Sequence, residues 1–342
     1  MRQIPRVQGT TFSLDYPLVD NVYLDSSVEQ YNTTPPGVNV DIRFYHTNGT
    51  AEYFLGLAKL NPSGTLILGL EDEKNLYISM EDAAGIDAVG AAVDSPRTVL
   101  GLGNAVITAY EIGAQVGGLI ESRATLNCLT ANVYTGFSGV TIPAVNYQNG
   151  GSQTGLFIIP PALSQYNSSS LATGLNAPAL GAREMFIVYS QGTPFGATLT
   201  GQNACYLQSF NLALTVDRQE QKPLGYVYPA ARPVMYPMRV DMNTEALMSS
   251  YQADTLERLS CTTTGFNVQM IIKQPCSNLV LFSFYLENMQ LASQQIGQSI
   301  GPIDTMSLQW RGLIKTPNDI FFDPYYNYLV QVSDTGAWGT QW

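Results

Sequence analysis

The chain has 342 residues, of which only 13% are charged, with a net charge of −11 and a single histidine. An ordinary globular domain is about 25% charged, and catalytic sites usually draw on His, Asp, Glu or Lys in a cleft. This composition disfavours an enzyme, so we expect no catalytic, cofactor-binding or metal-binding residues. The excess of Asp and Glu over Lys and Arg also disfavours a protein that grips nucleic acid through its phosphates.

The first residues, Met1–Arg6, have no apolar run behind their charges, so no secretory signal is expected. No window approaches the roughly 18 apolar residues of a membrane-spanning helix. These features predict synthesis in a cytoplasm without membrane insertion. The cysteines have no Cys-x-x-Cys spacing and are predicted to be buried free thiols: Cys128, Cys205, Cys261 and Cys276.

Alternation of apolar and polar residues with a period of two dominates the chain and predicts half-buried strands. The predicted strands cover residues 38–44, 106–116, 210–216, 268–272, 282–286 and 306–310. A helix is predicted only near 244–260, where Thr244 would cap its start. Its inward-facing residues would be Leu247, Tyr251, Leu256 and Leu259. The predicted fold is therefore mainly β with one flanking helix.

Long turn-rich stretches separate these strands: residues 32–37, 85–97, 146–154, 164–181 and 223–237. The Ser-rich and Gly-rich part after residue 165 is the best linker candidate, so we predict one domain over 1–180 and another over 181–342. The segment 223–237 has two interpretations. It is an arm that reaches an adjacent subunit or ring, or a loop packed on its own domain and stiffened by prolines.

A weak internal repeat supports two related domains. The segment Leu76–Ile78 resembles Met185–Ile187, and Asn104–Tyr110 resembles Asn203–Phe210, about a hundred residues later in both cases. Each segment pair places a short strand before a long alternating one. We therefore expect a duplicated β domain with this spacing.

Two motifs that suggest chemistry fail on closer inspection. The run Gly101–Val106 begins like a dinucleotide-binding fingerprint, but its last position is Val106 and a strand follows where a helix should start, so a turn is predicted. His46 is the only histidine, which excludes a zinc site built from several histidines. We expect His46 to continue the strand over 38–44.

Clustered acids at Glu71–Glu73, Glu81–Asp82, and Asp15, Asp20 and Asp25 offer carboxylate pairs for glycoside hydrolysis or calcium binding. None follows a calcium-loop pattern. Runs of acids are usually solvated surfaces, and that is the prediction for these residues.

The segment Gln208–Arg218, followed by Pro223–Gly225 and Arg232–Val240, resembles the tail-tube proteins of tailed bacteriophages. The segments 282–289, 293–297 and 308–310 are similar to the closing pair of strands in that family, with the turn between them. In the first half, Gly103–Tyr110 and Val116–Gly118 resemble a diverged form of the family's opening strands.

This resemblance implies tandem tail-tube-like β-sandwich or barrel domains, six of them around a ring, with rings stacked into the tail tube of a virion. Two tube domains per chain imply three chains per ring, whereas one tube domain with a decorating domain implies six. The implied partners are further copies of the chain and the tip, terminator and tape-measure proteins. Viral DNA would pass through without specific binding.

An acidic lumen would repel phosphates and let a genome slide through. Glu111 and Asp217, at or just past the polar faces of two predicted strands, are candidates for that lining or for ordinary outer surface. The alternative function is a carbohydrate-binding or receptor-binding β-sandwich module of a fibre or adhesin. Its stacking residues would include Trp338 and Trp342.

Overall fold

Antiparallel strands form most of the protein in a computed structural model, and the predicted mainly β fold is confirmed. The structure describes residues 4, 6–16, 18–22, 28–32, 35–47, 50–57, 59–60, 66–67, 69–81, 97–135, 139–148, 150–157, 179, 181, 185–190, 204–205, 207–247, 265–273, 280–297 and 305–316. All six predicted strands are present. Two predicted end residues lie just outside their strands: Val116, because β8 ends at Gln115, and Val216, because β15 ends at Thr215.

The elements of the first half are β1 (Val7–Asp15), β2 (Leu18–Val22), β3 (Val28–Asn32), β4 (Gly37–Tyr45), α1 (Thr50–Leu55), β5 (Lys59–Leu60), β6 (Leu66–Ile67), β7 (Lys74–Glu81), β8 (Arg97–Gln115), β9 (Glu121–Cys128), β10 (Thr130–Thr135), β11 (Val140–Thr141) and β12 (Leu156–Phe157). Those of the second half are β13 (Met185–Ser190), β14 (Ala204–Cys205), β15 (Leu207–Thr215), β16 (Met238–Leu247), β17 (Phe266–Lys273), β18 (Val280–Gly297) and β19 (Thr305–Ile314).

Thirteen of these strands belong to one sheet, in the order β1-β4-β9-β8-β15-β16-β19-β18-β17-β13-β14, with β7 and β10 also pairing with β8. The first eight strands of this order are called the central sheet below. At its middle, β8 and β15 pair from Ser209 opposite Gln115 to Thr215 opposite Ala109. The predicted domains over 1–180 and 181–342 stay predictions, and this junction joins strands from either side of their boundary.

One face of the central sheet is buried in every strand except the edge strand β1, because alternate residues of these strands are apolar. In β4, the buried side chains are Val38, Val40, Ile42 and Phe44, and the strands from β9 to β19 continue the same layer. The largest fully buried members are Trp310, Tyr110 and Phe44. The opposite face of every strand carries the polar residues, so the sequence alternation alone decides which face points inward.

The chain contains two arrays of strands with the same pairing order. The N-terminal array consists of β1, β4, β9 and β8 with β7, and the C-terminal array of β15, β16, β19 and β18 with β17. In both, the long fourth strand bends between partners: β8 pairs with β7 and then β9, as β18 pairs with β17 and then β19.

Register irregularities fall at the same places in both arrays. The first strands are bulged between Val7 and Gly9 and between Leu207 and Ser209. The long strands are bulged between Ile107 and Ala109 and between Leu291 and Ser293. The strands before them shift between Lys74 and Leu76 and between Phe266 and Val268. Bulges occupy defined positions because they bend a strand and set its twist, so their recurrence aligns the two arrays residue by residue.

A matching backbone conformation confirms this alignment. Asn104 and Asn288 occupy corresponding positions and both adopt positive φ, at 52° and 56°. The main-chain N–H of Asn104 donates to the side-chain oxygen of Asn75 at 3.2 Å, and that of Asn288 donates to Asn267 at 3.1 Å. Asparagine suits this conformation because its short side chain tolerates the left-handed region.

The predicted spacing of the repeat is wrong. The strand containing Leu76–Ile78 corresponds to β17, nearly two hundred residues later, and β8 corresponds to β18. The segment Met185–Ile187 instead lies in β13, which pairs beside β17. Short alternating segments resemble one another wherever strands occur, and only the pairing register distinguishes corresponding strands from merely similar ones.

The predicted start of a helix at Thr244 is also wrong. Residues Thr244 to Leu247 continue β16 and pair with β19, because Val240, Met242 and Thr244 share the buried face of the sheet. Residues 248–260 lie outside the described part of the chain. The structure contains a short helix that was not predicted, α1, which follows β4 in the N-terminal array.

Candidate assembly surface

The polar face of the central sheet runs across its eight strands. It carries four arginines and six carboxylates: Arg43, Arg123, Arg239, Arg311, Asp15, Asp41, Glu111, Glu121, Asp241 and Glu245. Between them lie Asn, Gln, Ser and Thr. The face is therefore hydrophilic, mildly acidic and poor in charge for its size.

Three of the four arginines of this face lie beside acids. Arg123 Nη2 lies 2.7 Å from Asp41, and Asp241 lies 2.6 Å from Arg239 and 3.3 Å from Arg311. Hydrogen bonding to Asp41, and then its charge, raise the pKa of Arg123. The face as a whole has two more carboxylates than arginines, so a phosphate facing this surface meets weak net repulsion.

The two candidate lining residues lie in different settings. Glu111 is half-buried in β8 on the polar face, opposite Arg123 in β9 and Ala213 in β15. Asp217 is exposed just beyond the end of β15, where its main-chain carbonyl accepts from Met235 at 2.8 Å. The structure therefore places Glu111 on the sheet surface and Asp217 at its rim.

The loop 217–237 packs against its own chain through two arginines. Arg232 is buried and donates to the carbonyls of Asn104 and Asn127, and its guanidinium lies 3.0 Å from Glu73. Arg218 donates to the carbonyls of Leu70 and Ile107 at 2.5 and 3.1 Å. The base of the loop is therefore held on the N-terminal array.

Burial shifts the pKa values of this cluster, and at Glu73 hydrogen bonds outweigh it. Burial lowers the pKa of Arg218 to about 10, with a smaller contribution from repulsion by Arg232. Burial alone would raise the pKa of Glu73, but hydrogen bonds from Tyr147, Asn104 and Arg232 hold it below its usual value. Glu73 therefore stays ionised beside Arg232 and fastens the loop at neutral pH.

The tip of the same loop is exposed. Leu224 is fully solvent-exposed and Val227 is also exposed, while Tyr226 accepts a hydrogen bond from Gln148 at 3.1 Å. The interpretation of 223–237 as a loop packed on its own chain applies to its base. The tip presents apolar side chains to solvent, which is the property that contact with another subunit requires.

A second polar cluster lies inside the N-terminal array. His46, directly after β4, and Tyr110 both lie 2.9 Å from the carboxylate of Glu52 in α1, and Ser122 lies 3.3 Å away. Burial would raise the pKa of Glu52, but His46 and the hydrogen bonds from His46 and Tyr110 hold it below its usual value. All four side chains are buried, so this cluster ties α1 to the sheet and is closed to a substrate.

The remaining sequence candidates are dispersed. The acids Glu71–Glu73 are not a uniformly solvated run, because Glu73 binds Arg232, Asp72 lies 3.7 Å from Lys74 and Glu71 accepts from the main chain of Val234. Asp15 is exposed and accepts from Asn39 at 3.1 Å. The side chains of Asp20 and Glu81, and residues Asp25 and Asp82, lie outside what the structure describes.

Cys128 is a buried free thiol, as predicted, and burial raises its pKa to about 12. Gly101–Val106 forms a continuous part of β8, so the predicted turn is wrong there because β7 and β10 pair with both of its edges. The other cysteines, Trp338 and Trp342 fall outside the described side chains, and the roles predicted for them stay predictions.

No cluster of His, Cys, Asp or Glu suited to a metal ion occurs among the described residues. Within the same part of the chain, no helix is long and apolar enough to cross a membrane.

Strand β1 was not recognised in the sequence, although it forms one edge of the central sheet. Its side chains are all exposed, including Phe12 at 46% and Leu14 at 38%. The corresponding residues of β15, Leu212 and Leu214, are 0% and 1% exposed because β8 pairs with the other edge of β15. The available signal was the absence of any charged residue between Val7 and Leu14.

Comparisons with known proteins find no family model and no curated protein that matches the chain. Among solved structures, a chain of the virion of a native gene transfer agent particle is similar, with 15% identity and a TM-score of 0.27, covering 40% of this chain and 99% of that chain. A chain of the anti-feeding prophage baseplate has 12% identity and a TM-score of 0.24, covering 39% and 93%. At these TM-scores, neither likeness establishes a shared fold or family.

Proposed function

We propose that the protein is a structural component of a bacteriophage virion that assembles into stacked rings and forms the tail tube, a conduit for genome delivery. The observation that carries this proposal is the central sheet, in which two arrays of the same topology join edge to edge through β8 and β15. The sequence resemblance of Gln208–Val240 and 282–310 to tail-tube proteins supports it independently.

Edge-to-edge joining is the property that a ring of β domains needs. Each array presents a polar face and a buried face, and the β8–β15 junction continues both faces without interruption. Repeating that junction between chains would extend one curved sheet around a closed wall. Because each chain supplies two arrays, three chains would provide the six tube domains of a ring.

The polar face of the central sheet is proposed as the wall of the conduit. Three of its arginines lie beside Asp41 and Asp241, and Glu111 adds negative charge opposite Arg123. Because carboxylates outnumber arginines on this face, it would release few counterions from DNA and would not hold it tightly. This arrangement supports passage of viral DNA without specific binding.

The insertions between the first two strands of each array are proposed as contacts with the next ring or with tip, terminator and tape-measure proteins. In the C-terminal array, this insertion is the loop 217–237, with Leu224 exposed at its tip. In the N-terminal array, it is the hairpin formed by β2 and β3, which pair only with each other among the described strands. We place the protein in the tail of the virion after synthesis in the host cytoplasm.

Negative-stain electron microscopy of concentrated protein, with rotational averaging of end views, tests this function. We expect hollow rods or rings whose walls show six-fold or pseudo-six-fold symmetry, with three-fold modulation from the two unlike arrays. Particles that never stack, even when seeded with tail-tip material, would contradict the proposal. Ligand-dependent stabilisation of such particles by a carbohydrate would instead favour the binding-module alternative.

A further inference from the structure

The two outer edges of the central sheet correspond to strands that pair with each other at its middle. Strand β1 occupies the same place as β15, and residues 290–297 of β18 occupy the same place as the second half of β8. Within the chain, β15 and β8 are hydrogen-bonded partners. No partner strand pairs with the outer edges of β1 or of residues 290–297 of β18 in the described part of the chain.

We propose that β1 of one copy pairs antiparallel with β18 of a second copy, in the register that β15 and β8 use within the chain. This inference rests on the proposed ring assembly and names its contact. Transferring the β15–β8 register gives five opposed pairs: Thr11 with Gly297, Phe12 with Ile296, Ser13 with Gln295, Leu14 with Gln294 and Asp15 with Ser293.

The exposed side chains of β1 indicate that a partner strand from a second copy is missing beside it. Phe12 and Leu14 lie opposite the buried residues Val40 and Val38 of β4, and therefore face the same side of the sheet as the core. They are nevertheless 46% and 38% exposed, whereas Leu212 and Leu214 at the corresponding positions of β15 are buried. A strand seated on the outer edge of β1 would extend the sheet beside these side chains, as β8 does beside β15.

A glycine at corresponding positions supports the same register. Gly113 in β8 lies opposite Asn211 of β15, and a Cβ added at Gly113 would approach the carbonyl oxygen of Phe210 to 3.3 Å. Gly297 stands at the corresponding position of β18. The close approach that the internal junction makes at Gly113 is therefore also possible at Gly297.

Neither edge carries the features that protect natural sheets from pairing. Exposed edge strands are usually interrupted by Lys, Pro or inward-pointing charge. Strand β1 has no charged residue or proline before Asp15, and residues 290–297 contain none at all. Both edges are also long enough for at least five opposed residues, which makes them suited to strand addition.

Pairing β1 with β18 joins unlike surfaces of two identical chains. Such a contact is heterologous, so it repeats from copy to copy and either closes into a ring or continues as a filament. In this arrangement each new junction repeats the contact already present inside the chain. The polar face and the buried face both continue across it.

Thiol cross-linking between single-cysteine variants tests the partner and the register. Ser13→Cys protein is mixed with Gln295→Cys protein, both changes lying on the polar face, and the thiols are oxidised to disulfides with copper phenanthroline. We expect a product of twice the chain mass, because directly opposed Cβ atoms lie about 4.5–5.5 Å apart. The slipped pair, Ser13→Cys mixed with Ser293→Cys, should give at least about fivefold less product, because its diagonal separation is about 7–8 Å.

The internal junction provides a matched positive control. Ala213 and Glu111 are opposed in β15 and β8 and correspond to Ser13 and Gln295. The double variant Ala213→Cys/Glu111→Cys should cross-link within one chain, without an increase in mass. Each single variant alone reports the background from the native cysteines.

A charge placed on the edge provides a second test. Phe12→Lys should leave the melting temperature of the isolated chain unchanged, because Phe12 is exposed there, and should lower intermolecular cross-linking at least about tenfold, because the charge would be desolvated at the junction. Val133→Lys, at an exposed residue of β10 outside the junction, is the control and should cross-link like the parent.

The outcomes separate this inference from the proposed function. Hollow rods that form without cross-linking between positions 13 and 295, or that cross-link equally at the slipped pair, overturn the strand pairing and leave the tube proposal standing. Unimpaired assembly of Phe12→Lys overturns the pairing as well. A chain that neither cross-links nor forms rods overturns both.

Discussion

The N-terminal and C-terminal arrays share a backbone plan but fill it with different side chains. Where the N-terminal array has Ala105 beside Cys128, the C-terminal array has Met289 beside Gly312. A Cβ at Gly312 would collide with the sulfur of Met289. The larger residue of the pair is Cys128 of β9 in the N-terminal array and Met289 of β18 in the C-terminal array. The larger side chain has therefore moved to the other strand, and the pair fills the shared space with different residues.

The same comparison explains where polarity is buried. Tyr110 and Ser122 in the N-terminal array lie 3.3 Å apart and share Glu52, whereas the corresponding Gln294 and Met306 make a 3.4 Å contact. The N-terminal array closes over α1 with a buried carboxylate, and at this point the C-terminal array has a side-chain amide that donates to a thioether sulfur. Register is thus conserved between the arrays while the polarity of the core varies.

The largest effect is expected from truncating the corresponding core residues Trp310 and Leu126. Trp310→Ala should lower the free energy of unfolding by about 4 kcal/mol and Leu126→Ala by about 3 kcal/mol, because each leaves a cavity in a fully buried layer. Urea unfolding followed by far-ultraviolet circular dichroism measures both. Because β8 and β15 join the arrays, we expect one shared transition; a transition that splits in either variant would show that the arrays unfold separately.

Leu313→Ala is the matched control for this pair. Leu313 lies in β19 between buried neighbours but is itself exposed on the polar face. Its truncation should change the free energy of unfolding by less than about 0.5 kcal/mol.

Glu52→Gln tests the buried cluster that only the N-terminal array has. Removing the carboxylate charge beside His46 should cost about 3 kcal/mol near neutral pH. The folded protein holds the pKa of Glu52 below its usual 4.5, so this contribution is present above that pH and is lost as the pH falls through the folded pKa. Urea unfolding of both proteins across this acidic range should show their difference shrinking.

Gln294→Leu is the control for the pH dependence, since Gln294 stands where Tyr110 stands in the other array. It removes no titratable group and should shift stability equally at all pH values. A difference between Glu52→Gln and the parent that stays constant down to acid pH would contradict a role for the charge of Glu52.

The exchanged pair predicts a coupling between two positions. Gly312→Ala should destabilise by about 2 kcal/mol through overpacking against Met289. The double variant Met289→Ala/Gly312→Cys recreates the Ala105/Cys128 pair and should cost about 1–2 kcal/mol less than the sum of its single changes. A double-mutant cycle of urea unfolding measures this coupling, and strict additivity would count against a shared volume.

The smallest expected effect is the difference in stability loss between glycine substitutions at the two positive-φ asparagines. Asn288→Gly should change stability by less than about 0.5 kcal/mol, because glycine accepts this conformation readily. Asn104→Gly should cost about 1.5 kcal/mol, since the Asn104 side chain also bonds Glu73 at 2.7 Å and the main chain of Val145 at 2.8 Å. Thermal unfolding compares them; equal losses would mean that the side-chain bonds of Asn104 contribute nothing.

Local pattern was sufficient for the strands, because a period of two records which side of a strand faces the core. It predicted the strands over 38–44 and 306–310 and the burial of the Cys128 thiol. It failed at Thr244–Leu247, where residues compatible with a helix start continue β16, and at Gly101–Val106, where glycines suggested a turn inside a long strand. In both cases pairing with distant strands outweighed local preference.

The site was less accessible from the sequence than the strands. Glu111 could be placed on a polar face because its neighbours alternate. No residue near Arg232 in the chain predicts its contact with Glu73. The sequence around Phe12 likewise does not predict that this side chain is exposed at an edge of the sheet. These roles depend on which elements meet, and the sequence does not record that locally.

By itself, the sequence determined that this protein is a charge-poor, mainly β chain whose strands have one apolar and one polar face. Only the tertiary structure decided the true spacing of the repeat, the junction of β8 with β15 and the exposed edges of β1 and β18. The physical reason is that alternation is a property of consecutive residues. Register and partnership are set by hydrogen bonds between segments that lie far apart in the chain.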